Sequence, residues 1–104
     1  MIVEERTYHV FTGKLPEVVR MYESEGTRIQ QRILGNLVGA FTVDVGALSA
    51  IVQLWAYDSY AERERRRAEL QADDGWRDFL GRLQPLLHTQ ENRILVPTAF
   101  SPLK

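Results

Sequence analysis

A chain of 104 residues is one domain's worth, and its 44% hydrophobic and 26% charged residues suit a soluble globular protein, neither disordered nor membrane-embedded. Thirteen Lys and Arg against fourteen Asp and Glu leave it almost neutral, which argues against a general electrostatic grip on nucleic acid. The absence of cysteine excludes disulfides, thiolate metal sites and a Cys nucleophile, and mildly favours a reducing compartment.

Met1-Ile-Val-Glu-Glu-Arg6 enters a strand with no targeting segment, and no apolar run approaches the roughly 20 residues of a membrane span. A cytoplasmic protein is the expectation. Residues 2–11 alternate as that first strand. One face carries Ile2, Glu4, Arg6, Tyr8 and Val10, and the other Val3, Glu5, Thr7, His9 and Phe11. After a turn at Thr12-Gly13, Leu15, Val18, Val19, Tyr22, Gly26, Ile29 and Ile33 step at helical intervals and predict one helix with an apolar stripe. Gly35-Asn36 stops it, since both residues accept the left-handed conformation.

A second strand is predicted over 37–45 and a third from 51, joined as a hairpin through Gly46-Ala-Leu-Ser49. Ser59 and Glu62 form a capping box for the next helix. Helical structure is predicted over 60–88, broken at Asp73-Asp-Gly75, with Trp76, Phe79, Leu80, Leu83 and Leu86 or Leu87 on one stripe. A last strand is expected over 92–96. The order β-α-β-β-α-β predicts an α+β, ferredoxin-like domain spanning 1–104, with a four-stranded antiparallel sheet covered on one face by helices. Trp55 and its neighbours are expected on the uncovered face. Burying them implies two sheets packed face to face, a symmetric homodimer.

Five blocks carry a family likeness in the same order: Glu4-x-Arg-Thr-Tyr8, Gly13-Lys-Leu-Pro16, Leu37-Val-Gly39, Leu54-Trp-Ala-Tyr-Asp-Ser59 and Gln90-Glu-Asn-Arg-Ile-Leu95. Together they resemble the NIPSNAP family, over nearly the whole chain, in the form of a small bacterial-type single-domain member. The resemblance implies a dimeric α/β barrel. That superfamily also contains cofactor-independent monooxygenases, haem-binding enzymes and stress or degradation proteins, whereas NIPSNAP members have no agreed reaction. The organellar roles of eukaryotic relatives are not carried over. Many members carry His just before the Leu-Trp pair, where this chain has Gln53, which orients a ligand but cannot titrate.

The ligand-pocket candidates are Arg6, Tyr8, Gln53, Trp55, Tyr57 and His9. Arg6 and Tyr8 share a strand face with Glu4. They suit either a clamp on a carboxylate or phosphate or the commoner structural Arg–Glu pair. Gln53, Trp55 and Tyr57 would suit a flat aromatic or acyl ligand, although aromatics at strand period are more often core. His9 is a conceivable base, and His88 is expected near a helix end. Two separated histidines give no metal-ligand spacing, so neither a metal nor a cofactor is expected. Glu62-Arg-Glu-Arg-Arg-Arg67 reads as a solvated helix face with Glu62–Arg66 and Arg65–Glu69 pairs, and with Ala61, Ala68 and Ala72 as the inward seam.

The leading expectation is a homodimer that binds a small apolar or amphipathic metabolite in a sheet/helix cavity. The alternatives are a cofactor-independent oxygenase or isomerase, and a protein-interaction module using residues 60–72.

Overall fold

The computed structural model describes residues 1–104. Four strands, β1 (Ile2–Val10), β2 (Asn36–Thr42), β3 (Ala50–Tyr57) and β4 (Leu87–Leu95), form one antiparallel sheet in the order β2-β3-β1-β4. Between β1 and β2 run α1 (Leu15–Met21), a π-helical turn (Tyr22–Gly26) and α2 (Thr27–Leu34). Between β3 and β4 run α3 (Tyr60–Ala72), α4 (Asp74–Leu83) and a 3₁₀ turn (Gln84–Leu86). This is the ferredoxin-like α+β fold. No helix is long and apolar enough to cross a membrane.

The local signals act where the sequence places them. Gly13 and Gly35 take φ of 87° and 92°, the left-handed region that lets the chain leave β1 and α2. Ser59 Oγ accepts from the Glu62 amide at 3.1 Å, and Asp73 caps α4 through the Trp76 amide at 2.8 Å.

Two boundaries and the regularity of one helix differ from expectation. β2 stops at Thr42 and the linking loop is longer than a tight hairpin. β4 begins at Leu87, five residues before the predicted start, so His88 lies in a strand. It is the extra residue of a bulge opposite His9 and Val10, with its ring edge-on to Phe11 at 5.1 Å. The first helix is not uniform, because the Thr27 amide donates to the Tyr22 carbonyl, a five-residue step that inserts the π turn.

The core lies between sheet and helices. Trp55 belongs to it, fully buried. The expectation that Trp55 faces away from the helices is therefore wrong: β1 and β3 pair with Glu4 opposite Trp55 and Arg6 opposite Gln53, so strand alternation sends all four under the helices. The outer sheet face instead carries Val52 and Leu54 of β3 with Phe41 of β2 and Leu95 of β4, and Phe41 is 56% exposed.

α3 also differs. Ala61, Ala68 and Ala72 are exposed, and the inward stripe is Arg63, Arg66, Arg67 and the buried Leu70. Glu62 pairs with Arg66 at 2.6 Å as expected, but Arg65 turns back to Glu62 at 2.7 Å rather than forward to Glu69.

The π turn seats against α4 at one tight point. A Cβ on Gly26 would stand 2.4 Å from Phe79 Cζ, and Phe79 is fully buried, edge-on to Tyr22 and stacked on Trp76. Gly26→Ala is expected to destabilise the fold by about 1–3 kcal/mol in urea denaturation. Phe79→Leu, itself destabilising, should shrink that penalty if the ring contact is its cause.

Candidate functional site

Strand period brings five of the six candidate residues, Arg6, Tyr8, Gln53, Trp55 and Tyr57, beneath the helices. His9 is excluded from the group by the same period. It faces the other side of the sheet, beside Ser49, His88 and Thr89.

The centre is a buried carboxylate. Glu4 Oε2 accepts from Arg6 Nη1 at 2.9 Å and from Arg63 Nη2 at 2.7 Å. Arg6 Nε donates to the Tyr8 hydroxyl at 2.7 Å. With the Asn92 amide turned so that its oxygen faces the guanidinium, Asn92 accepts from Arg6 Nη1 at 2.8 Å. A neutral chain lies alongside: the Trp55 indole N–H donates to Gln53 Oε1 at 3.2 Å, and Gln53 Nε2 donates to Gln30 Oε1 at 3.4 Å. Charged and neutral chains meet at the Arg6–Gln53 cross-strand pair.

Burial would push the Glu4 carboxyl up, but Arg63, Arg6 and Arg67 outweigh it and hold the group below the ordinary carboxylate range. Burial raises the Tyr57 phenol, an effect the neighbouring Arg67 guanidinium partly offsets, and no hydrogen bond of good geometry satisfies its hydroxyl.

Two open clefts flank this layer. One, of about 330 Å³, lies between the π turn and the β2 edge and is lined by Val19, Tyr22, Thr27, Phe41, Ile51 and Gln53 among others. The second, of about 380 Å³, lies where α3 crosses β1 and β4, with Arg6, Arg63, Arg67, Gln71 and Asn92 on its walls. Arg6 and Gln53 thus reach opposite clefts. Trp55 lines neither of them, and Tyr57 borders a separate recess with Leu34, Asp58 and Arg66. No group of three or more His, Cys, Asp or Glu side chains could hold a metal ion.

Sequence reasoning missed Gln30, Arg63 and Arg67. The available signal was α3 itself. With Leu70 its one large aliphatic side chain, the helix could only lie on the sheet by turning polar groups inward. The buried Glu4 supplies the matching charge.

The NIPSNAP family model matches residues 3–102. The chain belongs to the NIPSNAP family. It is 31% identical over 104 residues to NipSnap homolog 1 of Danio rerio, covering 99% of this chain and 36% of that protein. It therefore spans about a third of that relative's length. A crystal structure of a NIPSNAP family protein from Agrobacterium tumefaciens superposes with a TM-score of 0.97 at 47% identity, covering 99% of this chain and 98% of the other. An antibiotic biosynthesis monooxygenase superposes with a TM-score of 0.68 at 8% identity, covering 94% and 99%. At that identity the likeness is one of fold alone.

Within this NIPSNAP chain, Glu4→Gln leaves two guanidiniums without their shared anion and should cost about 3 kcal/mol at neutral pH. The folded carboxyl titrates below its unfolded value. Its stabilisation is therefore fully present above the unfolded range and is lost as pH falls through the lower folded value. The stability gap between wild type and Glu4→Gln, followed by thermal denaturation, should accordingly close on acidification below about pH 4.

Proposed function

We propose that this NIPSNAP chain is a single-domain cytoplasmic homodimer that binds a small apolar or amphipathic molecule in the cleft beside the π turn. The observation that carries the reading is the coincidence of π turn and cleft. Tyr22, the first residue of the turn, and Thr27, just after it, both line the space with Gln53. π-Helical insertions cost regular hydrogen bonding and recur at functional sites. A volume of about 330 Å³ falls at the small end of the range for ligand sites.

The lining suits such a ligand. Val19, Ile51 and Tyr22 offer apolar surface, the Gln53 amide provides a neutral polar contact, and Glu23 adds one charged side chain to the lining. Gln30 Nε2, which lies behind Gln53, is buried without a partner. A network so nearly satisfied changes little when an acceptor arrives, which favours retention over chemistry.

The dimer reading rests on the outer sheet face. Val52, Leu54, Phe41 and Leu95 form an apolar surface across three strands, with the Glu5–Arg93 ion pair at 2.5 Å beside it. A second copy packed on this face would remove it from water, and the contact would be self-complementary about a twofold axis.

Native mass spectrometry should give a dimer for the wild type and a monomer for Leu54→Glu; a monomeric wild type would sink the dimer. The neutral dye Nile red should brighten on binding the wild type. Ala40→Trp, which fills the cleft from β2, should abolish that signal while leaving the far-ultraviolet circular dichroism unchanged. Equal brightening in both proteins would rule out this cleft.

A further inference from the structure

Helix α3 presents arginines where a sheet-packed helix normally presents aliphatic side chains. Positions 63, 66, 67 and 70 fall on one stripe at three- and four-residue spacing, and that stripe faces the sheet. Two of its guanidiniums are accounted for. Arg63 Nη2 reaches Glu4, and Arg66 donates to Glu62 and to the Ile33 carbonyl.

Arg67 is different. It is half-buried, forms no ion pair within 4.0 Å, and its Nη1 is buried without a hydrogen-bond partner. Arg63 Nε is buried and unpartnered as well. Both residues line the cleft of about 380 Å³ that opens over Arg6, Gln71 and Asn92. The acidic side chains at that cleft are Glu4 beneath it and Glu64 on its rim, so three guanidiniums face two carboxylates. Glu4 is already shared between Arg6 and Arg63.

We propose that this cleft is an oxyanion site, taking the carboxylate or phosphate group of a small molecule with Arg67 and Arg63 as its principal donors. A guanidinium withdrawn from water with an unmade hydrogen bond is costly. An oxyanion in the cleft would supply the missing countercharge, and a small turn of the Arg67 side chain would present its guanidinium fork to a two-oxygen acceptor. Asn92 and Gln71 add neutral amides at the walls. A purely structural role explains Arg63 and Arg66, which hold α3 to Glu4 and to α2. Arg67 adds its charge to the field at Glu4 and lies beside the Tyr57 hydroxyl, yet no carboxylate pairs with it and its Nη1 makes no hydrogen bond. The site is set apart from the π-turn cleft by the Arg6–Gln53 pair, so the two readings stand or fall separately.

The test is a titration of the ¹⁵N-labelled protein with inorganic phosphate and, separately, with acetate at low ionic strength, following the arginine Nε–H signals. Sodium chloride serves as the ionic control. Saturable shifts at Arg63 and Arg67 are expected with at least one of the two anions and not with chloride. Whichever anion saturates then states whether the ligand carries phosphate or carboxylate.

Arg67→Gln should bind roughly tenfold or more weakly, and its ligand-free melting temperature should stay level or rise because an uncompensated charge is gone. Arg20→Gln, at an exposed arginine outside the cleft, should bind as the wild type does. If Arg67→Gln does not fold, Gln71→Glu carries the same test, since a carboxylate on the exposed rim should abolish binding and keep the fold. No saturable shift with either anion, or equal affinity in the variants that fold, would overturn the site. Nile red binding should persist through all of these changes.

Discussion

The carboxylate of Glu4 is the constraint around which the rest of the molecule is arranged. It is fully buried in the central strand β1, a position that is untenable for a lone anion. Arg6 from the same strand and Arg63 from α3 converge on one of its oxygens, and the Tyr8 and Asn92 contacts fix the Arg6 fork. Removing charge from water is expensive enough that such a pair adds little net stability over apolar packing. What it adds is geometry. A helix with almost no apolar face is held at one rotation about its axis, because only that rotation brings Arg63 to Glu4. Arg66 then reaches the Ile33 carbonyl at 3.1 Å, tying α3 to the end of α2.

The apolar half of the core obeys a different logic. Trp55, Phe79, Trp76 and Tyr22 fill the space beneath the π turn and α4, and the aromatic contacts there run from Tyr22 through Phe79 to Trp76. The absent side chain at Gly26 lets the turn approach the Phe79 ring. The inserted residue also rotates the helix so that Tyr22 is buried at one end of the turn while Ile29, Ile33 and Leu34 remain inward on α2. A regular helix would carry the stripe continuously across this point, and Tyr22 would lose its place at the margin of the cleft.

The sequence made the architecture legible wherever a single period or a single residue type decided the matter. Alternation over residues 2–11 gave the true faces of β1, the Gly35-Asn36 stop ended α2, and Ser59 began α3. The errors of facing share a cause: the sequence pattern names a face without saying which neighbour it meets. Strand period groups Trp55 with Gln53 and Tyr57 but does not say which side of the sheet the helices cover. The 62–67 charge run has the composition of a solvated helix, and the buried partner that turns it inward lies 59 residues away on β1. The π turn leaves almost no trace, since one extra residue in a helical stripe looks like ordinary scatter. For the site, Arg6 and Gln53 were visible from strand period, whereas Gln30, Arg63 and Arg67 became visible once α2 and α3 were docked.

The same geometry bears on Gln53, the position where the family resemblance leads one to expect histidine. Gln53 makes two contacts that need one acceptor and one donor, taking the Trp55 N–H and giving to Gln30. A neutral imidazole has one of each and could make the same pair. Its neutral form would be favoured there, because burial and the Arg6 guanidinium on the facing residue both oppose a second positive charge. Histidine at this position would therefore serve first as a neutral bridge, and as an acid or base only if a ligand's negative charge offset Arg6. Glutamine keeps the bridge and discards the option. On that argument the exchange is nearly silent in the fold, and its consequence is confined to chemistry: a molecule entering the π-turn cleft would meet a hydrogen-bonding floor at Gln53 that does not change its charge across the physiological pH range.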